Sequence, residues 1–142
     1  MRITVPTIGT GIDGDGYRAD LPEGIHGTDP EYGTDYTTVT VTLPDTPEVE
    51  RWAVEQRYHT PRRVTSGRFM LALKSRDAAV FAAVRAAIAA DEDLQLAAGE
   101  PYFNRGSTTI AALQHQLQAA GFAHVTDDWV DDVFRDAFLL EL

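Results

Sequence analysis

Asp13-Gly14-Asp15-Gly16 is the stretch whose residue types come closest to chemistry, because alternating carboxylates and glycines open calcium-binding loops. An EF-hand loop counted from Asp13 closes on a bidentate glutamate at its twelfth position, and that position is Gly24. The stretch therefore reads as an acidic turn, and no metal is expected on Asp13 or Asp15. Together with Gly9-Thr10-Gly11 the same glycines suggest a phosphate cradle. A Walker loop needs Gly-Lys-Ser/Thr opening a helix, and a dinucleotide fingerprint needs a helix after its glycines. Here Tyr17-Arg18-Ala19-Asp20-Leu21-Pro22 leads to proline and more loop, so no cofactor is expected.

The remaining candidates are basic or aromatic. His115 and His124 lie nine residues apart across Gly121, not at the i, i+4 spacing that brings two imidazoles to one metal, and read as surface or structural residues. His59, followed by Thr60-Pro61-Arg62-Arg63, could belong to an anion-binding loop. In an acidic chain, two arginines more often form ion pairs, and that reading is preferred. Two helices flanking Gly121 could be mistaken for a helix-turn-helix, but Asp127, Asp128, Asp131 and Asp132 would bring carboxylates to the phosphates. No nucleophile, base and orienting partner assemble from the sequence. The expectation is a non-enzymatic protein with no catalytic, cofactor-binding or metal-ligating residues.

Charge supports that expectation. Twelve basic and 22 acidic residues give a net charge of −10 over 142 residues, which disfavours nucleic acid and anionic membranes as partners. Lys74 is the only lysine, and the absence of cysteine removes thiol chemistry, disulfides and zinc fingers. Met1 to Pro6 lacks the apolar run of a signal peptide, and no window reaches the ~20 apolar residues of a membrane span. The expected location is the cytoplasm or a particle assembled there.

Residues 1–35 are rich in Gly, Asp, Thr and Pro and read as a loop-rich arm, in which Ile3, Val5 and Ile8 could form a short strand that Pro6 confines to an edge or ends early. Few apolar anchors and many glycines suggest an arm ordered by neighbouring subunits. Residues 36–142 read as the core of a single domain. Val39, Val41 and Leu43 alternate with threonines as a strand. Thr46-Pro47-Glu48 carries helix-start chemistry ahead of Val49, Trp52 and Ala53, although an extended reading with Trp52, Val54 and Tyr58 on one face competes. Phe69, Leu71 and Leu73 alternate as a second strand, Val80, Val84 and Ile88 mark a helix ending near Ala90, and Leu94-Gln95-Leu96 reads as a third strand. That order implies a right-handed crossover with parallel strands. A helix from Ser107 or Thr108 to a stop at Gly121, and an amphipathic helix bearing Trp129, Val133, Phe134 and Phe138, complete the chain. The class is α+β: a small mixed β-sheet packed by three to four α-helices.

The stretch from Val5 to Pro22 resembles small uncharacterised proteins encoded among the structural genes of tailed phages and related prophages. Those relatives carry an Ile-Gly-Thr-Gly turn, a few polar residues and an Asp-x-Tyr-Arg-Pro run before an alternating strand. The likeness covers about 20 of 142 residues; Gly16 stands where a proline is common, and Ala19 departs from the Arg-Pro dipeptide. It implies a virion structural protein that decorates or completes a shell, with Gly9, Gly11, Tyr17 and Arg18 shaping a docking turn. Its partners would be capsid, portal or tail subunits, or further copies in a homo-oligomer. The alternative is a soluble acidic regulator or inhibitor covering a basic surface of another protein.

Overall fold

The computed structural model describes residues 1–10 and 17–140. Its fold class is α+β, and the chain divides into two compact units, Met1–His59 and Thr60–Leu142.

The first unit is a four-stranded sheet with one helix. Its strands are β1 (Arg2–Thr10), β2 (Tyr17–Ala19), β3 (Thr28–Tyr32) and β4 (Thr38–Thr42), in the order β2-β1-β4-β3, followed by α1 (Pro47–Glu55). Register places Ile3 opposite Val41 and Val5 opposite Val39. These four, with Leu43, bury one face of the sheet in a cluster that also takes Val49 and Ala53 from α1. The other face carries threonines, with Thr4 Oγ1 and Thr40 Oγ1 2.7 Å apart across the ladder. One dry and one wet face is the usual arrangement of an antiparallel sheet. Tyr58 closes the unit: its ring meets Trp52 edge-on at 5.6 Å, and its hydroxyl donates to Asp20 Oδ2 at 3.2 Å.

Much of the stretch expected as loop is therefore sheet. Residues 2–10 form β1, an inner strand rather than an edge. Pro6 is tolerated there for a local reason. Thr7 N–H donates to Thr37 O, and alternation turns the nitrogen of position 6 away from β4, so that ladder loses no hydrogen bond. Short strands broken by Gly, Asp and Pro hide their period, which is why composition reads them as loop. Residues 11–16, with Asp13, Asp15, Gly11, Gly14 and Gly16, lie outside the described residues. In β3, a register shift between Thr28 and Glu31 contains Asp29, at φ 51°, and Pro30.

The second unit is mostly helical. A two-stranded ribbon of β5 (Arg63–Thr65) and β6 (Tyr102–Asn104) accompanies α2 (Ser66–Arg76), α3 (Ala78–Ala90), α4 (Glu92–Ala98), α5 (Thr108–Ala119) and α6 (Asp127–Leu139). Phe69 is the hub of the core, with its ring 5.0 Å from Phe103 and 5.2 Å from Phe134. Val80, Val84, Ile110, Leu113, Val130 and Val133 pack in the same cluster.

Three expectations fail in this unit. Phe69 to Leu73 is helix, because Thr65 Oγ1 accepts from Arg68 N–H and the buried set is Phe69, Ala72 and Leu73, at helical spacing, while Leu71 is left half exposed. Leu94-Gln95-Leu96 is also helix. Asp91 ends α3 and caps α4, its carboxylate accepting from the Asp93 and Leu94 amides, so the acidic run begins a helix as well as stopping one. With those two strands gone, the described residues contain no parallel crossover: the four ladders described are antiparallel in place of a mixed sheet, and six helices are described where three or four were expected. The strand at 38–42, the helix beginning at Pro47 and the helices at 78–90, 108–119 and 127–139 lie where periodicity and capping place them.

Candidate functional site

The most distinctive surface of the molecule is the end of the first unit's sheet, where β1 and β2 pair and β3 turns into β4. β1 and β2 align Ile8 with Arg18 and Thr10 with Tyr17, with an irregularity between Ile8 and Thr10. Gly9 sits in that bulge at φ +50°. A Cβ on Gly9 would lie 3.8 Å from Arg18 Nη2, an ordinary contact, so backbone conformation and not space favours glycine there. Ile8 and Arg18 are exposed on the surface.

The β3–β4 loop adds aromatic side chains. Gly33 N–H donates to Thr38 O at 2.9 Å and Tyr36 N–H donates to Gly33 O at 3.0 Å. The Asp35 carboxylate accepts from the Thr37 hydroxyl at 2.8 Å and the Thr37 amide at 3.1 Å, an Asx turn. Those two bonds, the hydroxyl's first, hold the Asp35 carboxyl below the usual carboxylate range. Thr7 Oγ1 donates to Tyr36 O at 2.7 Å and ties the loop to β1. Tyr36 itself stands at φ 58°, a conformation that bulky residues rarely adopt. Its ring lies 5.8 Å from that of Tyr32, and the residue is 54% exposed; Ile8 is 44% exposed.

The other sequence candidates are engaged separately. His124 Nε2 is 2.8 Å from Asp77 Oδ2, while His115 is exposed on α5, so the two histidines do not share a site. Asp77 also caps α3. The Val80 amide first, then His124 and the Ala79 amide, hold its carboxyl low against the opposing cost of burial. His59 Nε2 lies 3.8 Å from Glu50 Oε1. Arg63 lies over the Tyr102 ring at 4.5 Å, and the Arg62 carbonyl accepts from the Arg105 amide. On α6, Asp131 and Asp136 meet Arg105 and Arg76 at 2.6 and 2.7 Å, and Asp132 meets Arg135 at 2.9 Å. Among the described residues no group of three His, Asp or Glu is arranged to hold a metal, and no helix is long and apolar enough to cross a membrane.

Comparison of the chain with protein-family models, with curated proteins and with solved structures gives no match. Sequence reasoning singles out neither Asp35 nor Tyr36. The signal that could have drawn attention to them is local: Gly33-Thr34-Asp35 is turn chemistry, and it delivers an aromatic residue to the tip of a hairpin.

Proposed function

We propose that the chain is a non-enzymatic structural protein of a tailed-phage-like particle, decorating or completing the shell by contact with other subunits. One observation carries this reading. The described parts of the stretch that resembles phage-encoded proteins lie side by side as β1 and β2, and they present Ile8 and Arg18 outward around the Gly9 bulge. An exposed apolar residue beside an arginine, on a backbone fixed by a ladder, is a serviceable interface anchor, since order already present in the free chain is not charged against binding.

The test is particle incorporation. Mass spectrometry of gradient-purified particles made from the chain's neighbouring genes should find the chain at a fixed stoichiometry to the capsid, portal or tail proteins. Ile8→Asp combined with Arg18→Glu should cut incorporation by at least about tenfold, the scale of an interface hot spot. A wild-type chain that stays at the top of the gradient refutes the reading.

A second reading, an acidic regulator covering a basic surface, is favoured by the distribution of charge. Residues 1–59 hold four arginines against eleven carboxylates, a net −7 of the total −10. Recovery of the chain with one soluble basic protein, and not with particles, is the outcome that selects it.

A further inference from the structure

Charge is segregated within the second unit. Residues 60–90 hold six basic residues and one acidic one, Asp77, whose carboxylate is engaged by the Ala79 and Val80 amides and by His124. Residues 91–100 hold four acidic residues and no basic one. Most of the cations lack a carboxylate. Arg2, Arg51, Arg76, Arg105 and Arg135 each meet one at 2.6–3.4 Å, whereas Arg62, Arg63, Arg68, Lys74 and Arg85 make no ion pair among the described residues. Lys74 and Arg85 lie over the Phe81 ring instead, each at 5.8 Å.

The two leucines exposed among the described residues sit at the centres of these opposite fields. Leu71 on α2 is 48% exposed, with Arg68 one turn before it and Lys74 one turn after. Leu96 on α4 is 70% exposed, with Glu92 and Asp93 one turn before it and Glu100 four residues after. Each stripe sets an apolar centre between charges of the sign the other lacks. The turn after α4 also lies beside the start of α2, since Ser66 N–H donates to Pro101 O at 3.0 Å.

We propose that the α2 stripe of one copy docks on the α4 stripe of a second copy of this chain, with Leu71 against Leu96 and with Arg68 and Lys74 among Glu92, Asp93 and Glu100. Both stripes belong to one unit and adjoin at the Ser66–Pro101 bond, so a two-fold axis satisfies both at once, α2 on α4 and α4 on α2. Charge selects the occupant. A net −10 repels a second copy from most of the surface and leaves the face of residues 60–90 as the place where an acidic chain settles. Nucleic acid would meet the carboxylates of α4 beside the same cations. The leucines supply the burial that ion pairs on a wet surface do not replace.

Sedimentation equilibrium of the full-length chain is the test. A contact of two helix pairs lies at the small end of stable interfaces, so a dimer with Kd of about 10–100 µM is expected. Arg68→Glu with Lys74→Glu should weaken it at least about tenfold. Glu92→Lys with Asp93→Lys should weaken it as much, although that reversal makes the chain less acidic and lowers the net repulsion between copies. Mixing the two variants should restore association to within about threefold of wild type, because every contact in the mixed dimer again joins opposite charges. Leu96→Ser should weaken the dimer about fivefold or more with Tm unchanged, and it carries the test if lysines in the first turn of α4 unfold the chain. A chain that stays monomeric at about 1 mM, a dimer indifferent to the reversals or to Leu96→Ser, or folded variants that do not associate when mixed each overturns the proposal. The particle reading fails separately: a dimer that stays at the top of the gradient defeats that reading alone, and an incorporated chain that is monomeric when free defeats this one alone.

Discussion

The two units solve the same backbone problem in opposite ways. In the helical unit, α5 ends in a Schellman motif: Phe122 N–H donates to Leu117 O and Gly121 N–H to Gln118 O, with Gly121 at φ 104° in the left-handed position that favours glycine. In the sheet unit, α1 ends the same way. Tyr58 N–H donates to Ala53 O and Arg57 N–H to Val54 O, but the left-handed residue is Arg57, at φ 64°. The contrast is general. Asp29, Tyr36 and Arg57, the described non-glycine residues with positive φ, all belong to Met1–His59. Among the described residues, left-handed backbone falls on a glycine in the helical unit and on three non-glycine residues, besides Gly9 and Gly24, in the sheet unit.

The largest effect expected from this contrast lies in the helical core. Phe134 is fully buried and packs on Phe69, so Phe134→Ala should cost about 3–5 kcal/mol in urea denaturation followed by aromatic circular dichroism. A loss below about 1 kcal/mol would show that the helical unit is not the well-packed half. Next comes the matched pair of helix ends. Gly121→Ala should destabilise by about 1–2 kcal/mol, and Arg57→Gly should stabilise by a similar amount, both read as shifts in denaturant midpoint. If both substitutions destabilise, Arg57 makes contacts worth more than its strain, and the comparison fails at that site.

The smallest effect concerns pH. Asp77 has its folded-state carboxyl held below the ordinary value, so its contribution to stability is complete above the unfolded carboxylate range and is lost as pH falls through the lower folded value. Asp77→Asn, which keeps a capping side chain but cannot ionise, should flatten the decline of Tm between about pH 4 and pH 2. An unchanged acid limb would locate the acid sensitivity elsewhere.

What could be read from the sequence follows the physical range of each signal. Thr46 and Ser107 cap their helices through bonds three residues along the chain, and those helix starts are legible. Gly121 marks its stop for the same reason. Phe69-x-Leu71-x-Leu73 misleads, because five residues of alternation fit a strand as well as a buried helical stripe, and only packing against Phe103 and Phe134 decides between them. β1 misleads in the other direction, since its burial depends on Val39 and Val41 more than thirty residues away. The candidate site is least legible of all. Ile8 and Tyr36 reach the same end of the sheet only through the β1–β4 ladder, and no short window of sequence contains both.

The bend in β3 has a consequence for crowding. A protein present in many copies risks chains joining sheet to sheet through bare strand edges. Here one outer strand, β2, is three residues long. The other is interrupted where Asp29 turns to positive φ, Pro30 offers no amide hydrogen and Glu31 sets a charge at the rim. A second chain seeking to lengthen the sheet on that side finds a broken row of donors and a carboxylate in its path, so copies can be packed densely without fibrils being seeded there.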